Sequence, residues 1–156
     1  IQEKDYLVSG SALLSLLQAV LDKGANFRFK ARGTSMVPFI HDGDLITIAP
    51  LTRVATGSIV AFTRPETGQL VVHRVVAKRR EEFFISGDGS SLHSDGWIPR
   101  KNIVGQLIKI ERNGQNIRLS LGMERIGIAF LSRLKWLTPI RVILAKFLHK
   151  SQDMPL

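Results

Sequence analysis

At 156 residues with 44% apolar side chains, the chain is sized for one globular domain with little room for a second core. It has no cysteine, which excludes disulfides and thiolate metal sites and leaves the redox compartment open. The net charge of +9 is concentrated late: residues 125–156 hold six basic groups against Asp153 alone, so an acidic surface is the expected partner of that segment.

In chain order, residues 11–23 place Leu13, Leu16, Leu17, Val20 and Leu21 on one stripe. With Lys23 in the last turn and Gly24 in the C′ position, they predict an amphipathic helix. Tyr6–Leu21 is uncharged for 16 residues, but its serines and Gln18 keep it short of the roughly 20 apolar residues of a membrane span. Phe27–Arg32 alternates strictly, with Phe27, Phe29 and Ala31 inward, and reads as a strand. It enters the loop Arg32–Ile40, where Gly33 lets the backbone turn and present Ser35, and Pro38 biases Val37 toward extended geometry. Gly43-Asp44 is a tight turn opening the strand Leu45–Ala49.

Pro50 breaks that pattern and Gly57 restarts it in Ser58–Thr63. A turn at Arg64–Gly68 leads to the strand Gln69–Lys78, and the two strands form a hairpin. Glu82–Ser86 is a further strand, followed by the polar loop Gly87–Gly96. The last hairpin pairs Ile103–Glu111 with Asn116–Leu121 around Asn113-Gly114. These seven or eight short strands predict a mainly β fold, an antiparallel, barrel-like β domain over 27–121. From residue 122 the period changes. Ile126, Phe130, Leu134 and Leu137 suggest one helix; Thr138 as N-cap and Pro139 start a second, with Ile140, Ile143, Leu144, Phe147 and Leu148 on one face. The whole of 1–156 is thus read as a single domain: helix 11–23, β domain 27–121 and a basic helical tail 122–150.

The residues able to do chemistry are few. His73 lies in an apolar strand, where parity puts Val71, Val75 and Ala77 on its face and Val72, Arg74, Val76 and Lys78 on the other. Alone it would be a core histidine. Its company is an exposed-loop Ser35 upstream and a loop with Asp88 and Asp95 downstream. His41 and His149 have no evident role, and His93 is a weak second candidate for an imidazole at the site. No cofactor is expected, and His93, Asp95 and Asp88 lack a recognisable metal-ligand spacing.

Gly33-Thr34-Ser35-Met36-Val37-Pro38 followed by Gly43-Asp44 resembles the nucleophile box of type I signal peptidases and of the related LexA-like self-cleaving repressors. Val72-His73-Arg74-Val75 resembles the box carrying the general base, in the form with His that marks the endoplasmic-reticulum and archaeal type. Ser86-Gly87-Asp88 with Asp95 resembles the acidic box, and Ile103-Val104-Gly105 the closing strand, so the likeness spans roughly residues 27–110. The resemblance implies a serine endopeptidase cleaving a signal or leader peptide. Ser35 would be the nucleophile and His73 the base, with Asp88 and Asp95 the candidates to orient the imidazole. The Ser35 N–H would form part of an oxyanion hole. Met36, Gly33 and Thr34 would line the substrate site, with Phe27 and Phe29 nearby. Three departures stand out. Gly33 replaces a serine that many signal peptidases use toward the oxyanion, Gly57-Ser58 replaces Gly-Asp, and the N-terminal membrane span is not visible.

Two other readings compete. A self-cleaving LexA-like domain would need a DNA-binding part ahead of it and an Ala-Gly or Cys-Gly bond to cut; only about 26 residues precede the first strand here, and neither bond occurs in this sequence. A non-catalytic membrane-surface module would use the tail. Nucleic acid is not an expected partner, because the basic residues lack aromatic interleaving. Residues 125–150 either pack their apolar stripe on the β domain or lie in an anionic membrane interface, which favours a peripheral place at the cytoplasmic membrane, otherwise the cytoplasm. Salt- and lipid-charge-dependent co-sedimentation with vesicles, lost on truncation at Leu121, distinguishes the second case from the first.

Overall fold

The computed structural model describes residues 10–89 and 94–117. The expected tail helices of 122–150, the stretch Arg118–Leu121 and His93 lie outside the described residues. Helix α1 (Gly10–Asp22) is followed by β1 (Phe27–Lys30), β2 (Leu45–Pro50), β3 (Ile59–Thr63), β4 (Leu70–Arg79), β5 (Glu82–Ser86), β6 (Gly96–Pro99), β7 (Ile103–Arg112) and β8 (Gln115–Asn116). All eight strands belong to one antiparallel sheet in the order β1-β2-β7-β3-β4-β5-β6, with β8 paired to β7. The fold is mainly β with a helix near the start, as expected, but the sheet is not closed into a barrel. β6 was not anticipated. Its four residues run from a positive-φ Gly96 to Pro99, a composition that reads as turn, and it survives because it sits at the sheet edge.

The sheet is buried on both faces at its centre. In β3, Ile59 and Ala61 join one core cluster with Leu17, Leu21, Met36, Ile40, Ile46, Ile48, Leu107 and Ile110. Val60 and Phe62 turn the other way and pack with Val75, Phe83, Ile85, Ile98 and Ile103. This two-sided burial follows from the run of apolar residues in β3, each fully or almost fully enclosed.

α1 seals the first cluster with Leu17 and Leu21. Leu16, expected on the same stripe, is 50% exposed, because it lies about 100° round the helix from Leu17 and clears the sheet. The helix ends as its sequence dictates. Gly24 adopts φ 74°, with its N–H bonded to Leu21 O and the Ala25 N–H to Val20 O. Between β7 and β8, Asn113 and Gly114 both take positive φ, the geometry of a tight hairpin turn. Among the described residues no helix is long and apolar enough to cross a membrane.

Where α1 crosses the sheet, β7 must present a glycine. A Cβ on Gly105 would stand 2.6 Å from Ile48 Cγ2, 2.7 Å from Ala49 O and 2.9 Å from Leu21 Cδ1. One of these is main chain and cannot rotate aside. Gly105→Ala should therefore cost roughly 1–3 kcal/mol, the usual scale of overpacking. Urea unfolding of the two proteins measures it, and an unchanged midpoint would refute the close-packing account.

Candidate active site

Between β1 and β2 the chain makes the loop 31–44, and nearly every turn of it is tied down. Gly33 has φ 91°, a conformation that a side chain would strain, and its N–H donates to Asp42 Oδ1 at 2.8 Å. Ala31 N–H bonds Asp44 O, and Gly43 N–H returns to Ala31 O. The Val37–Pro38 peptide is cis. His41, without a role in the sequence, has its ring Nε2 2.9 Å from Pro38 O and its backbone N–H on Asp44 Oδ2 at 2.8 Å. Asp44 in turn accepts two bonds from Arg112 of β7, from Nε at 2.8 Å and from a terminal nitrogen at 2.7 Å. Arg112 also donates to Phe39 O at 3.2 Å, so one side chain braces the second half of the loop at two points.

The loop exposes Ser35 and offers its hydroxyl to β4. Ser35 Oγ lies 2.8 Å from His73 Nε2. The other ring nitrogen, Nδ1, is 2.5 Å from Asp95 Oδ2. His73 is buried, and the side chain of Asp95 is only 4% exposed. Burial would raise the Asp95 carboxyl, but hydrogen bonds and charge from His73, and then from Arg64, hold it below its ordinary value of 3.8. The structure therefore brings together Ser35, His73 and Asp95.

Asp88, the other acidic candidate, is not brought to His73. Both its oxygens accept from Arg74, at 2.8 and 2.7 Å, and both side chains have no solvent exposure. Arg74 donates also to Gly57 O at 3.0 Å, and its guanidinium lies 5.5 Å from the centre of the Phe39 ring. The pair is thus a structural clamp joining the loops that carry Phe39, Gly57 and Asp88. Opening such a buried pair by removing one partner costs about 3–5 kcal/mol.

Gly87, noted in the sequence only as part of the acidic box, matters here, and so do Gly89 and Arg64, which carried no signal. A Cβ on Gly87 would fall 2.6 Å from Ser35 O and 3.3 Å from His73 Nε2, and one on Gly89 would fall 2.9 Å from Ser35 O. The Gly89 N–H donates to that same Ser35 O at 2.7 Å. Arg64, in the β3–β4 turn, donates to Asp95 Oδ1 at 2.9 Å. A glycine spacing or an acid–base pairing 31 residues apart leaves no local pattern to find.

Ser35 and His73 open onto a cleft of about 700 Å³. Its apolar wall includes Leu13 and Leu14 of α1 with Phe29, Met36, Ile40 and Leu70. Gly33 and Met36 are among its lining residues, and Thr34 and Phe27 are not.

The family model described as Peptidase S24-like, part of the LexA and signal peptidase superfamily, matches residues 2–108. No curated protein matches the chain.

The Asp44 carboxyl is opposed by burial but held below 3.8 by hydrogen bonds from Arg112 and His41 and by their charges. A depressed carboxylate stabilises the fold above the unfolded value of about 3.9, and that contribution disappears as pH falls through the lower folded value. Asp44→Asn should therefore lower stability at pH 7 by roughly 1–3 kcal/mol and flatten the loss between pH 5 and pH 2. Urea midpoints across that range decide it; a variant that loses as much stability in acid as the parent refutes the assignment.

Proposed function

Since the chain belongs to the Peptidase S24-like family, we propose that it is a serine endopeptidase cleaving a signal or leader peptide with Ser35 as nucleophile and His73 as general base. The observation that carries this reading is the placement of His73 between Ser35 Oγ and Asp95. In the neutral imidazole, Nδ1–H donates to Asp95, which leaves the Nε2 lone pair to accept the Ser35 proton. Ser35 Oγ then attacks the scissile carbonyl. The imidazolium passes its proton to the leaving amine, and water hydrolyses the acyl-enzyme by the same relay in reverse.

Gly33 offers no hydroxyl to the oxyanion, which leaves the Thr34 hydroxyl and the main-chain donors. The Gly33 amide is committed to Asp42, that of Val37 to Thr34 O, those of Phe39 and Ile40 to Met36 O, and that of Gly89 to Ser35 O. These commitments support the Ser35 N–H as the oxyanion donor. The apolar cleft beside it suits small and aliphatic side chains of an extended peptide.

Self-cleavage is the second reading, favoured by one observation: the first turn of α1, with Gly10 and Ser11, lines the same cleft. A first-order rate independent of protein concentration identifies it; cleavage of added peptide identifies the first.

Ser35→Ala should abolish cleavage of a leader-like peptide with small residues at the cut, with the unfolding midpoint preserved. His73→Ala should lower kcat about 10²–10⁴-fold, and Asp95→Asn about 10²-fold or more, because the wrong tautomer is then favoured. Wild-type rates from the folded His73→Ala protein would overturn the mechanism.

A further inference from the structure

Arg64 is a charged side chain of the cleft that the reaction above does not use, although it touches Asp95. It opens the β3–β4 turn, whose main chain closes on itself through Arg64 N–H to Gln69 O at 3.0 Å and Gly68 N–H to Arg64 O at 2.8 Å. Its guanidinium reaches Asp95 Oδ1 through Nε at 2.9 Å and through a terminal nitrogen at 2.8 Å. The remaining terminal nitrogen donates to Gln69 Oε1 at 3.1 Å. Arg64, Thr67, Gly68 and Gln69 also form one wall of the cleft.

This division of the carboxylate matters. Asp95 has two oxygens, and Arg64 occupies Oδ1 alone, so that Oδ2 is directed at His73 Nδ1. A carboxylate held by His73 only could rotate about its last torsion and exchange oxygens, and the imidazole would follow. We propose that Arg64 is a positioning residue: anchored by Gln69, it fixes the Asp95 carboxylate and through it the orientation and tautomer of His73. The proposal rests on His73 acting as the base for Ser35.

The same arm ties the cleft wall to the base. A defect in Arg64 is therefore expected to reach kcat without a direct contact between Arg64 and the scissile bond.

The test combines kinetics with proton NMR of the full chain. The readout independent of turnover is the downfield resonance of the His73 Nδ1–H, assigned by its loss in His73→Ala. In Arg64→Ala that resonance should broaden or shift upfield, and kcat on the leader-like peptide should fall about tenfold with KM within about twofold, the scale for losing an outer orienting partner. Arg64→Lys, which keeps a donor for Oδ1, should recover part of both, and Gln69→Ala should produce a smaller loss of the same kind. An unchanged resonance with unchanged kcat in folded Arg64→Ala overturns the proposal, as does a rise in KM alone, which would make Arg64 a wall residue only. If instead His73→Ala itself cleaves normally, the reading of the base fails, while the resonance still reports whether Arg64 orders Asp95.

Discussion

Strand β4 sends adjacent side chains to opposite faces of the sheet, and the rest of the site depends on that alternation. Its register with β3, His73 opposite Val60 and Arg74 opposite Ile59, fixes which residue faces which way. A slip of one residue would exchange them. Each of the two then takes one carboxylate from the connection between β5 and β6: Arg74 takes Asp88, and His73 takes Asp95. Burying a guanidinium completely is costly, and it is tolerated because both Asp88 oxygens, the Gly57 carbonyl and the Phe39 ring surround it. The clamp lies behind the site and leaves the imidazole face to Ser35.

Rigidity on the other side comes from hydrogen bonds as well as from Met36 and Ile40, which anchor the loop in the core. Ser35 itself is solvent-exposed, so packing does not enclose it directly. Instead the loop 31–44 is stitched to Asp42, Asp44 and Arg112, and the glycines at 87 and 89 let a second loop approach close enough to bond Ser35 O. An exposed hydroxyl between two fixed backbones keeps its distance to Nε2 without being enclosed. Such pre-organisation is what an attacking group requires, because a misplacement of about 1 Å can cost a factor near 10².

Much of this was legible in the sequence because it is local. The α1 stripe, Gly24, the strict alternation of β1 and the Asn113-Gly114 turn each encode their geometry within a few residues. Strand parity likewise put His73 and Arg74 on opposite faces. Sequence could not choose between Asp88 and Asp95, because the choice depends on the path of a loop rather than on a period. Arg64 was invisible for the same reason: it reads as a turn residue, and its partner is 31 positions away. Leu16 illustrates the opposite error, an apolar residue counted into a stripe that the narrow contact of α1 does not use.

The pairing of His73 with Asp95 also bears on what a lysine would do in place of this imidazole. An imidazole has two nitrogens, so one can be held by a carboxylate while the other accepts a proton. A lysine has one. Placed at position 73, its amine would meet an aspartate that is itself backed by Arg64 and kept ionised below its ordinary range. The opposite charge would favour the protonated amine and deprive it of the lone pair that a base needs. Lysine bases are activated by the contrary environment, apolar and free of nearby carboxylate. If His73 is the base proposed above, Asp95 backed by Arg64 suits an imidazole at that position and disfavours a lysine there.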